Sequence, residues 1–196
     1  MPFLVGGRRV IVVGVPGVGK STVVSLTVDL LRRRGKNTQT KVFGSVMFDE
    51  ARKAGVSHRD EMRRLPVRTQ RKLQIAAAEA IAGENADILF VDTHVFIRTK
   101  EGFWSGLPSE VLAALRPTNL VLIEAPPRDI QARRMRDADR YRDSLPEEDI
   151  AHEMEIARAM LTSAGVVSGA PILVLKNVEG QAAEAAQQLG AAVVED

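Results

Sequence analysis

Apolar residues in this chain fall into two alternating kinds of stretch: short runs rich in Val and Ile, and longer segments with helical spacing. Arg9-Val10-Ile11-Val12-Val13 is a β-branched run that closes on Gly14 and reads as a buried strand. From Lys20 to Arg34, Val23, Val24, Leu26, Val28, Leu30 and Leu31 form a broad apolar helix face, and Gly35 stops it. Thr38 to Phe43 reads as a second strand. A polar helix follows from Ser45 to Ala54, and Pro66 opens a longer one to about Gly83. Ile88–Val91, Leu120–Ile123 and Ile172–Leu175 are three more buried strands. Helices are predicted near Ser109–Leu115, Arg128–Arg136, Glu147–Ala164 and Gly180–Leu189.

Strands alternating with helices require right-handed crossovers, hence an α/β fold of three layers with a five-stranded parallel sheet covered on both faces. Such sheets bind ligands beyond the carboxyl ends of their strands. The residues at those ends are Gly14, Asp92, Glu124 and Lys176.

Composition narrows the picture a little. With 196 residues the chain is long enough for one domain with a sizeable core, expected to span 1–196. No cysteine is present, which excludes disulfides, thiolate chemistry and a cysteine-bound zinc, and suits a cytoplasmic protein. Neither a leader-like N-terminus nor an apolar run of membrane-spanning length is visible, so no membrane partner is expected. A formal charge of +2 is too mild to imply nucleic acid. The 27 basic residues lean strongly to Arg, whose planar fork suits phosphate.

The most specific motif is Gly14-Val15-Pro16-Gly17-Val18-Gly19-Lys20-Ser21, which fits the phosphate-loop pattern at every fixed position. It follows a hydrophobic strand and opens an amphipathic helix, as that motif requires. Glycines let the backbone curl so that successive N–H groups converge at the positive end of the helix. Lys20 is placed to reach the β- and γ-phosphates, Ser21 to hold Mg²⁺ through its hydroxyl, and Thr22 to touch the α-phosphate region. A simple Gly-rich turn is the plain alternative.

Three further features bear on the reaction. Asp92, at a strand end facing that loop, is placed to hold Mg²⁺ through water, the alternative being a helix cap or a solvated turn residue. His94 is adjacent to substrate at most. Between Arg128 and Asp143, Arg133, Arg134, Arg136, Arg140 and Arg142 interleave with Asp137, Asp139 and Asp143. That suits a short lid closing over a phosphoryl group at 133–146, or else a solvated, ion-paired helix end. Lastly, Met47 and Phe48 could line an apolar slot, with Arg59 and Arg63 four apart on one helix face as a phosphate clamp. A guanine-nucleotide switch would need an Asn-Lys-x-Asp loop, whereas Lys176-Asn177-Val178-Glu179 runs in the wrong order.

Taken in order, GVPGVGKST at Gly14–Thr22, FGSVMFDEA at Phe43–Ala51, RDEMRRLP at Arg59–Pro66, VDTH at Val91–His94, GLP at Gly106–Pro108 and RRMRDADRYRD at Arg133–Asp143 resemble the archaeal-type adenylate kinases. The resemblance covers nearly the whole chain. It implies a P-loop kinase converting ATP and AMP to two ADP with Mg²⁺. It also implies a homo-oligomer, a trimer in this family. By position, Gly14 to Thr22 would hold ATP. Arg134, Arg140 and Arg142 would act with Lys20 as catalytic and lid residues. Gly44, Met47, Phe48, Arg59 and Arg63, within a helical region at 36–85, would form the AMP site. The chain departs from the family pattern at Phe96-Ile97-Arg98, at Trp104, and at Asn177-Val178-Glu179-Gly180, where an Asp is expected. Other readings are a kinase for UMP, CMP or a non-nucleotide alcohol, and an RNA-associated ATPase, which the abundant Arg permits but no recognised RNA-binding motif supports.

Overall fold

The run Val10–Val13 is wholly removed from solvent, because it lies in the central strand of a sheet covered on both faces. In the computed structural model, residues 7–136 and 145–194 are described, save the Arg63 side chain. Strands β1 (Arg8–Val13), β2 (Thr38–Val42), β3 (Ile88–Asp92), β6 (Asn119–Glu124) and β7 (Ile172–Lys176) form one sheet in the order β2-β3-β1-β6-β7. Every pairing in it is parallel. This is the predicted five-stranded parallel sheet.

The helices are α1 (Lys20–Arg33), α2 (Phe43–Lys53), α3 (Arg59–Arg64), α4 (Val67–Ala82), α5 (Ser109–Leu115), α6 (Pro127–Arg136), α7 (Glu147–Ser168) and α8 (Ala182–Val193). α1 packs on α8: the Thr27 hydroxyl donates to Ala186 O, and a side chain at Gly190 would crowd Leu30. The group α2, α4, α5 and α7 supplies the second layer. Charge supports the helix ends: Arg32 and Arg33 sit in the last turn of α1, and Glu147, Glu148 and Asp149 in the first turn of α7, each complementing the helix dipole. No described helix is long and apolar enough to cross a membrane.

Two differences from the sequence reading have plain causes. Phe43, expected to close the second strand, opens α2 with no connecting residue, and its buried ring packs into the core from the helix side. An antiparallel hairpin, β4 (Phe96–Thr99) with β5 (Gly102–Ser105), was not anticipated. Its strands are four residues each, and Phe96 meets Phe103 edge-on at 4.9 Å between ring centres. Aromatic cross-strand pairing of this kind stabilises a ribbon too short to show in hydrophobic periodicity.

Register puts the ligand face together. Val12 lies opposite Asp92, and the Thr93 N–H donates to Val12 O, so the ends of β1 and β3 stand side by side. On the other flank the Asn177 N–H donates to Glu124 O, aligning the ends of β6 and β7.

Candidate functional site

The loop between β1 and α1 turns on glycines. Gly17 has φ 94° and Gly19 has φ 85°, a region that side-chain-bearing residues rarely adopt. Space is as restrictive as strain there. A Cβ on Gly19 would lie 2.4 Å from the Asn177 amide nitrogen, and one on Gly17 would press on Ile130 and Arg134. Lys20 begins α1; its buried ammonium donates to Gly14 O at 2.9 Å, bringing the charge back over the loop.

Carbonyls of this loop are gripped from outside. The Asn177 side-chain amide donates to Val18 O at 2.7 Å, and Arg133 donates to the same oxygen at 3.2 Å. Arg134 donates to Pro16 O at 2.9 Å. In a planar trans peptide the C=O and the following N–H point in opposite directions. Donors that hold Pro16 O and Val18 O outward therefore turn the N–H groups of Gly17 and Gly19 inward. The result is an anion nest at the N-terminus of α1.

Ser21 opens toward β3. Its hydroxyl donates to Asp92 Oδ2 at 3.2 Å. A hydroxyl and a carboxylate in contact at the loop mouth are hard oxygen donors, the chemistry that suits a Mg²⁺ ion carried with phosphates. Thr22 is exposed beside Ser21, and His94 is exposed just past β3.

The arginine-rich stretch divides in two. Arg133, Arg134 and Arg136 belong to α6. Arg134, expected on a lid, is instead buried in the helix: it bonds Pro16 O and, at 3.2 Å, Glu153 of α7. Arg133 and Arg136 both bond Glu179, at 2.9 and 3.0 Å. Those two guanidinium groups hold the Glu179 carboxyl below the usual carboxylate range. Arg140 and Arg142 lie outside the described residues.

After β2, whose end Val42 lies beside Asp92 of β3, α2 and α3 bring Phe48, Ser45 and Arg59 together. The Arg59 guanidinium donates to the Ser45 hydroxyl at 2.9 Å and lies 5.5 Å from the Phe48 ring centre. Space in front of Gly44 is open, since a Cβ there would meet nothing within 4 Å. Met47, expected to line a slot, is buried with the core instead. Arg63 falls on α3, one turn beyond Arg59.

Several residues at this face gave no signal in the sequence. Glu153 is a buried acid inside a helix that reads as ordinary amphipathic surface. Glu124, noted only as a strand end, is buried and receives a two-pronged bond from Arg158 at 2.5 and 2.6 Å. That bond raises the Arg158 guanidinium above its ordinary range. No local pattern encodes such pairs, because their partners are remote in sequence.

Comparison with known proteins follows the same lines. The sequence profile of an AAA domain family matches residues 13–151. The chain is 43% identical over 190 residues to an adenylate kinase of Pyrococcus furiosus, covering 95% of this chain and 92% of that protein. Against an adenylate kinase of Sulfurisphaera tokodaii it is 40% identical over 185 residues, covering 91% and 95%. Among solved structures, a shikimate kinase from Acinetobacter baumannii in complex with shikimate superposes with a TM-score of 0.58 at 17% identity, covering 93% of this chain and 90% of that one. At that identity the likeness is one of fold.

Proposed function

As a member of the adenylate kinase family, this chain is a phosphotransferase, and we propose that it moves the terminal phosphoryl group of ATP onto AMP, giving two ADP. The observation that carries the reading is the phosphate loop itself, with Lys20 on Gly14 O and Asn177 holding Val18 O, and the Arg59–Phe48 cluster after β2 supplies a second candidate anion surface.

In this reading the backbone N–H groups of the stretch Gly14 to Thr22, which includes Val15 and Val18 and among which Pro16 has none to donate, grip the donor phosphates. Lys20 swings from Gly14 O to the β- and γ-phosphates. Ser21 and Asp92 hold Mg²⁺, which supplies neutralisation of phosphate charge when bound. Gly44 leaves room for AMP, Phe48 offers a flat apolar face to its base, and Arg59 with Arg63 takes its phosphate. The region 36–85 thus serves as the AMP-binding part, and within 133–146 the part beyond α6 serves as a short lid that brings Arg140 and Arg142 over the transferring group. Positioning and charge stabilisation supply most of the rate in such transfers. Arg134 contributes from behind the loop, through Pro16 O.

The proposal extends to a cytoplasmic homo-oligomer, the trimer of the family. A cluster of exposed apolar side chains, Val166, Val167, Ile172 and Val174, supports self-association at the end of α7 and the edge strand β7. Sedimentation equilibrium reads this directly.

ADP formation from ATP, measured with and without AMP and then with GMP, CMP and UMP, tests the activity. ADP that appears only with AMP is the expected result. Equal rates with and without any acceptor would leave a simple ATPase and end the proposal.

A further inference from the structure

Glu153 is a buried acid with two basic neighbours. Its Oε2 accepts from Arg134 at 3.2 Å, and its Oε1 lies 3.7 Å from an Arg98 nitrogen on the hairpin strand β4. Arg134 is itself buried, and its Nε reaches Pro16 O. Its alkyl stem packs so closely on the phosphate loop that a Cβ at Gly17 would come within 3.2 Å of it. Three elements distant in sequence, α7, α6 and the loop after β1, are therefore joined by two consecutive hydrogen bonds.

Because the Pro16–Gly17 peptide is planar, the tilt of Pro16 O sets the direction of the Gly17 N–H. A lone guanidinium cannot fix that tilt. Its other nitrogens need an acceptor in a buried place, and without one the side chain turns toward water. We propose that Glu153 is a positioning residue for the donor nucleotide: by clamping Arg134 it fixes the aim of the Gly17 N–H at the phosphates of ATP. The claim rests on the proposed kinase reading for the identity of the donor. It separates from that reading because ATP binding is measured without turnover. Val18 O has two donors of its own, Asn177 and Arg133, so the effect is confined to one of the two pinned peptides.

The test is calorimetric binding of ATP and of AMP to the full chain. Glu153→Gln keeps the size and leaves an amide oxygen, whereas Glu153→Leu removes the acceptor. The Kd for ATP should rise about threefold in the first and about tenfold in the second, the net range of an ordinary hydrogen bond, because the lost bond acts on the ligand only through Arg134. The Kd for AMP should stay within about twofold in both, because the acceptor side does not touch this chain of bonds. In an Arg134→Met background, Glu153→Leu should weaken ATP binding no further, since the group it acts through is gone. A Glu153→Leu protein that remains folded and binds ATP like the parent overturns the proposal. So does a double variant whose losses add. Equal weakening of ATP and AMP would mean a general loosening of the fold, and would overturn it too. Absence of ADP formation in the parent protein would sink the kinase reading while leaving the ATP-binding comparison intact.

Discussion

The Asn177 amide and the Val18 carbonyl, 2.7 Å apart, tie the turn after the last strand to the phosphate loop after the first. Asn177 is buried, so Asn177→Ala strands a carbonyl with only Arg133 to hold it. Denaturant unfolding should show a loss of about 1–3 kcal/mol, and the KM for ATP should rise with that for AMP unchanged.

Lys20 reaches Gly14 O from a buried position at the start of α1. Lys20→Ala removes the charge meant for the transferring phosphate. Turnover should fall roughly 10²–10³-fold, with circular dichroism and the melting temperature near those of the parent. Near-normal kcat would remove Lys20 from the chemistry.

Arg59 is held beside both Ser45 and Phe48. Arg59→Ala should raise the KM for AMP about tenfold while that for ATP moves less than about twofold. Equal shifts for both nucleotides would return Arg59 to an ordinary surface role.

Glu124 and Arg158 form a pair with one deeply buried member. Arg158→Met leaves the carboxylate without its partner, and urea unfolding should register a loss of roughly 3 kcal/mol. Adding Glu124→Gln removes the stranded charge and should recover most of it. A double variant weaker than the single would show that the carboxylate has a second stabilising partner.

Much of this was legible in advance, and the rest was not for identifiable reasons. Val10–Val13 and Leu120–Ile123 announce themselves because strands buried on both faces are continuously apolar. The phosphate loop is legible because its chemistry is local: glycines, lysine and serine at fixed spacing. Asp92 could be placed beside it because a strand end is also a local property. Arg134 could not be placed correctly. Its density of neighbouring charges fits a closing lid or a solvated, ion-paired helix end, yet it is buried with a contact to Glu153 that no local pattern encodes. The hairpin at Phe96–Ser105 escaped notice because its turn lacks the Asn-Gly or Asp-Gly signature and its strands are short.

Glu179 supplies a pH-dependent clasp. Its carboxyl is held low, first by the bond from Arg133 and then by that from Arg136. Its contribution is therefore fully present above the ordinary Glu value of about 4.3 and is lost as pH falls through the depressed folded value. Melting curves of Glu179→Gln and the parent should differ most near neutrality and converge in acid. A gap that persists at the acid end would mean the carboxylate charge is not what holds α6 to this turn.

The order β2-β3-β1-β6-β7 sets a schedule for synthesis. β1 leaves the ribosome first, yet its hydrogen-bonding partners begin only at Ile88 and Asn119. The most water-averse segment of the protein must wait unpaired while its two neighbours are translated. During that interval a Val-Ile-Val-Val edge is open to any passing strand, so refolding at high concentration should be prone to clumping.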